Sequence, residues 1–214
     1  MRSVFNRLPM SPRAICLAFE TDSMLNTTLC ENAVPLYRVT TNTHGSITEI
    51  RTTGSDTLIA RIARKNIFPS TVTFPDVNGG KPMRIKEWLK PTKFPNGLLG
   101  CTLQTPLGDM IMGGHPEYNS IALFNTDLTQ IIAHWKPKSD SLPLILVLSP
   151  GYESAHAQII AAFLYEEQVI RVEHKNSELA EAQGRLQARY PYLLSFSVPI
   201  TGFGAIMGRN LWPN

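Results

Sequence analysis

Five histidines, His44, His115, His134, His156 and His174, are the first residues to test for chemistry. A neutral imidazole is both a common metal ligand and a general base near pH 7. None of the five stands in a His-Glu-x-x-His or comparable ligand spacing. His134 falls in an alternating run and is expected to face solvent, whereas His156 is expected to be a hydrogen-bonded core residue. No Gly-x-Ser-x-Gly elbow gives a serine the setting of a nucleophile. Asn78-Gly79-Gly80-Lys81 lacks the spaced first glycine and the Ser/Thr after lysine that a phosphate loop needs, so it reads as a hairpin tip. Glu166 and Glu167 are adjacent, and on a helix they point about 100° apart, which suits a solvated helix end better than a shared acid–base site. Cys16, Cys30 and Cys101 form no Cys-x-x-Cys pair and are expected to be free thiols in a reducing compartment. The expectation is a chain with no catalytic residues, no metal and no cofactor.

Charge is the more informative chemistry. Lys81, Arg84, Lys86, Lys90 and Lys93 put five cations in thirteen residues, with Glu87 the only acid among them. If residues 83–89 form a strand, alternation places Arg84, Lys86 and Trp88 on one face. Two cations beside an amphipathic aromatic suit an anionic phospholipid headgroup at a membrane interface. The bland account is an ordinary charged outer face with Trp88 capping a sheet. Arg61, Arg64 and Lys65 extend the patch if their strand lies nearby. A net charge of +3 permits anionic partners without demanding them. Nucleic acid is not expected, because the charge is modest and no recognition motif is present.

The elements that must position these residues are mostly strands. Alternating runs at 34–41, 46–53, 57–65, 83–89 and 130–136 are separated by Gly, Asn, Asp and Pro turns. With the shorter runs at 68–74, 98–105, 110–112, 120–124 and 142–148 they make about ten strand candidates, the pattern of an all-β barrel or sandwich. The run at 142–148 is apolar on both sides and should lie deep. Ile59-Ala60-Arg61-Ile62 and Ile132-Ala133-His134-Trp135 share an Ile-Ala-basic-apolar core, compatible with two related β-halves.

One stretch differs. From Ala155 to Tyr165 only His156 and Gln158 interrupt small and apolar residues, and the apolar positions go nearly all round a helical wheel. Such a helix must be enclosed by other elements, and it is too short to span a bilayer. Residues 1–20 read as a flexible lead, with Arg2, Arg7 and Arg13, Pro9 and Pro12, and no apolar run for a secretory signal. Residues 21–175 are then the domain. In 176–214, a polar segment at 176–189 is expected to form a short exposed helix. The uncharged stretch 190–207, broken by Pro191, Pro199, Gly202 and Gly204, is expected to pack on the domain or stay disordered rather than span a membrane.

The order of "NTTLCENAVPLYRVTT", "IARI", the Trp88 run, "LGCTLQTPLGDMIM", "TQIIAHW" and "EEQVIRVEHK" resembles an uncharacterised fungal domain family of the tubby-like and LURP-one-like, scramblase-related superfamily. The resemblance covers about 22–175. It implies a mainly β, β-rich α+β fold: a closed antiparallel barrel of roughly twelve strands around a hydrophobic C-terminal helix at about 153–172. Tubby proteins bind phosphoinositides, but neither their lipid-binding motif nor a scramblase-type acidic calcium loop is matched here, so no site residue carries over. The expected function is a non-enzymatic intracellular binding module, cytoplasmic and peripherally membrane-associated. Its expected site is Lys81, Arg84, Lys86, Trp88, Lys90 and Lys93, taking anionic membrane lipid. The alternative is a protein-interaction or structural domain that meets a protein partner through its C-terminal tail, and an enzyme of unrecognised class stands third.

Overall fold

The computed structural model describes residues 13–65, 68–93, 99–115 and 120–189, with the side chains of the last segment described to 181. The expected tail at 190–207 and most of the expected lead lie outside these residues.

Thirteen strands form one antiparallel sheet. The first seven are β1 (Ile15–Phe19), β2 (Thr27–Glu31), β3 (Val34–Thr41), β4 (Ile47–Thr52), β5 (Leu58–Ala63), β6 (Thr71–Thr73) and β7 (Met83–Arg84). A four-residue helix, α1 (Ile85–Trp88), leads into β8 (Leu89–Lys93), β9 (Leu99–Thr105), β10 (Gly108–Gly114), β11 (Ile121–Phe124), β12 (Ile131–Lys136) and β13 (Ile145–Leu148). A single 3-10 turn then opens the long helix α2 (His156–Arg189). Each half is a meander, and the two meet where β1 pairs with β13. The outer strands β7 and β8 are neighbours in the chain, bridged by α1, and no ladder joins them among the described residues.

The expected mainly β, antiparallel fold of roughly twelve strands around a C-terminal helix is borne out, with thirteen strands among the described residues, and the expected closure is corrected to one open seam. The seam has a local cause. β7 is only two residues long before Ile85 turns the chain into α1, and β8 carries Pro91, which has no N–H to offer a further strand.

Alternation is read correctly where one face is buried. In β4 Thr48 and Ile50 turn inward, and in β5 Ala60 and Ile62 do. The Ile-Ala-basic-apolar echo falls on the fifth strand of each meander, β5 and β12. Ala60 and Ile62 are buried in one and Ala133 and Trp135 in the other, so the echo keeps its orientation. The Asn78–Gly80 tip is a turn with Asn78 at φ 53° and Gly79 at φ 63°, the left-handed backbone that Asn-Gly accommodates.

Two expectations at the ends of the domain are corrected. β1 lies inside the expected lead of 1–20, yet it is hydrogen-bonded to β2 and β13 with Leu17 and Phe19 in the core. The segment 176–189 is no separate helix but the continuation of α2. With no Gly or Pro between His156 and Gln183, nothing ends the helix where burial ends. The i,i+4 pairs Glu167–Arg171 and His174–Glu178, at 3.0 and 3.4 Å, bind successive turns.

The sheet wraps α2. From Gln158 to Leu164 every residue is buried, about 10 Å of helix at 1.5 Å per residue, whichever way its side chain points. Phe163 meets Trp135 of β12 edge-on at 5.4 Å, and Trp135 meets Phe19 of β1 at 5.1 Å. The helix and both meanders thus share one core.

Chain direction sorts the loops. Arg171, where α2 leaves the sheet, bonds Asp22 between β1 and β2 at 2.7 Å. Because every pairing is antiparallel, β3, β5, β7, β8, β10 and β12 run the same way as β1, toward this exit end. The C-terminal ends of β5 and β8 therefore lie at the exit end.

Candidate functional site

The open seam positions the basic stretch. Lys81 precedes β7, Arg84 ends it, Lys86 lies in α1, and Lys90 and Lys93 are on β8; all five are exposed. They flank the seam from both of its strands and from α1 between them, with Arg84 and Lys93 at the exit ends of β7 and β8. Glu87 is the acid within it, 3.8 Å from Arg84, with both side chains 66% exposed. A pair so open to water contributes little to stability and leaves the guanidinium accessible.

The expected strand at 83–89 does not form, and with it goes the shared face of Arg84, Lys86 and Trp88. In α1 the relevant spacing is helical: Ile85 and Trp88, three apart, both turn inward, while Lys86 and Glu87 face water. Trp88 is 1% exposed and packs on Phe74, ring centroids 5.3 Å apart. It is a core residue that fastens α1 to the sheet, so it cannot meet a headgroup, and the patch keeps five of its six expected members.

The neighbouring cations divide. Arg61 of β5 stands 3.8 Å from Glu49. Arg64 is half-buried and donates to Thr48 Oγ1 at 2.7 Å, and burial pushes its pKa down from the usual arginine range. It is structural. Lys65 is exposed, its ammonium 6.0 Å from the centre of the Phe68 ring. Phe68 itself is 69% exposed. Sequence reading placed it at the head of a strand, but β6 begins only at Thr71, and Pro69 was the signal that the strand starts late.

The histidines occupy varied settings. His115 and His134 bring their rings to 5.1 Å, a pairing that no sequence spacing signalled. His134 is half-buried rather than solvent-facing. His156 is buried as expected, but Nε2 has no partner among the described residues. Burial pushes its pKa down, against the smaller upward pull of Glu153 and Glu31. No group of three or more metal-ligating side chains is assembled among the described residues. Glu166 and Glu167 diverge: Glu167 bonds Arg171, while Glu166 approaches the Cys101 thiol at 4.0 Å. Cys16 and Cys30 are free thiols, Cys16 exposed and Cys30 buried.

The molecule so defined is a mostly β protein, an antiparallel sheet wrapped on a C-terminal helix, with a cationic seam. The chain belongs to the family of unknown function DUF6593, whose model matches residues 22–172. The match ends where Val172 comes out into water, and it leaves β1 outside its first residue. An X-ray structure of an Arabidopsis thaliana protein is similar at 14% identity and a TM-score of 0.46, covering 74% of this chain and 93% of that one. A search of curated proteins finds no match. No described helix is long and apolar enough to cross a membrane.

Proposed function

We propose that this domain is a binding module, not an enzyme, that docks its seam on anionic phospholipid headgroups at the cytoplasmic face of a membrane. The observation that carries the reading is five exposed cations in the thirteen residues that flank the open seam, around β7, α1 and β8, with a single acid among them. Near an anionic bilayer each contributes roughly 1 kcal/mol, and the attraction fades with salt. Cys16 and Cys30 as free thiols fit a reducing compartment. The same reading makes the domain a tubby-like relative. The buried helix inside two antiparallel meanders supports that kinship, and the open seam departs from it.

Vesicle sedimentation tests the proposal. The protein should pellet with phosphatidylserine-containing vesicles at low salt and release as salt rises. Arg84→Glu, Lys86→Glu and Lys90→Glu together should abolish pelleting while leaving the melting transition in place, since all three side chains are exposed. Equal binding to neutral vesicles, or none to either, would overturn it.

A second reading is favoured by the part of α2 beyond Arg171. It stands in water and exposes Val172 and Leu179, seven residues apart on one side of the helix. A protein partner would meet the molecule there.

A further inference from the structure

We infer that Phe68 enters the acyl boundary of the anionic bilayer on which the seam docks. The inference rests on the lipid-binding reading and adds the residue that reaches below the phosphates. Ser70, just before β6, is held against α1 and against Lys65 just after β5. Its carbonyl accepts the Ile85 N–H at 3.0 Å, and its hydroxyl accepts the Lys65 N–H at 3.4 Å. Arg84 lies opposite Thr71 in the β6–β7 ladder. Phe68, two residues before Ser70, therefore lies at the exit-end corner of the seam, with the Lys65 ammonium 6.0 Å from its ring centre.

An aromatic ring 69% exposed beside the solvated Lys65 matches a layered surface, anionic at the phosphates and apolar just beneath. A soluble anion would engage the cations and leave the ring in water. Lys65 over the ring keeps a cation at the depth where the phosphates lie.

The test uses the full chain and phosphatidylcholine vesicles with and without phosphatidylserine. Phe68→Ser should weaken binding to the anionic vesicles roughly tenfold, the loss expected for one partly buried aromatic. The salt dependence should keep its slope, because every cation remains. Phe68→Trp should bind like the parent, and its emission, after subtraction of the parent's tryptophans, should be quenched by lipids brominated in the upper acyl chain. Parental affinity for Phe68→Ser, or unquenched emission from Phe68→Trp, would overturn insertion while leaving headgroup binding standing. A parent chain that ignores anionic vesicles would overturn both.

Discussion

Lys86 and Trp88 are two residues apart, and whether the backbone between them is strand or helix decides which of them meets water. Two-residue alternation puts them on one face. The helical turn Ile85–Trp88 separates them, because Ile85 and Trp88 then share the inward side. The run Ile-Lys-Glu-Trp fits that turn, but it is too short for periodicity to arbitrate, so the basic residues of the site were legible and their geometry was not. Phe68 was missed for a related reason: its residue type says strand, and only the late start of β6 at Thr71 leaves it in water. His156 was read correctly as buried, and it makes the residue-scale prediction. Burial lowers its folded pKa, while the unfolded chain should show the ordinary value near 6.5. Between those values the unfolded chain binds more protons, so this stability is complete above about pH 6.5 and is lost as pH falls toward the folded value. His156→Leu should flatten that dependence. Urea midpoints at about pH 7.5 and about pH 5.5 would show it, with the parent losing more stability on acidification than the variant. An equal loss in both would remove His156 as the cause.

At the scale of elements, strands with one buried face were legible and those with other determinants were not. β4 and β5 alternate against the core, so period and structure agree, whereas β12 buries the consecutive Ile132 and Ala133. β1 alternates too, but it follows an Arg- and Pro-bearing stretch whose composition says lead. The length of α2 was misread because its burial, not its helicity, stops near Leu164. The open seam leaves β8 as an edge strand, and edges invite pairing with other chains. Lys90, Pro91 and Lys93 are the defence here: two charges and a residue without an N–H on a five-residue strand. Replacing Lys90 with Thr and Pro91 with Val should convert that edge into a pairing surface. Sedimentation velocity should then show a mass that grows with concentration beyond the parent's. A variant that sediments like its parent at every concentration would mean that α1, rather than edge chemistry, covers the seam.

Across the whole molecule, one helix is both the core of the domain and its extension into solvent. Along α2 burial is unbroken from Gln158 to Leu164, partial to Ile170, and absent from Arg171 through 181. The last residue tied to the sheet is Arg171, through Asp22. Cooperative folding needs the buried part, because Phe163, Trp135 and Phe19 join the helix to both meanders. Beyond Arg171 the described residues bury nothing, and the pair His174–Glu178 is a solvent-exposed contact of small value. A chain ending at Lys175 should therefore unfold in a single transition within a few degrees of the full chain by calorimetry. Loss of that transition would show that residues after 175 hold the domain together. The same truncation separates the two readings of function. If the seam docks on lipid, the shortened chain keeps its salt-sensitive binding to anionic vesicles, because every exposed cation from Lys81 to Lys93 is still present. If the solvent-facing part of α2 is what meets a partner, vesicle binding is absent from both forms, and a partner captured by the full chain is released when Leu179 is removed with the rest of the helix.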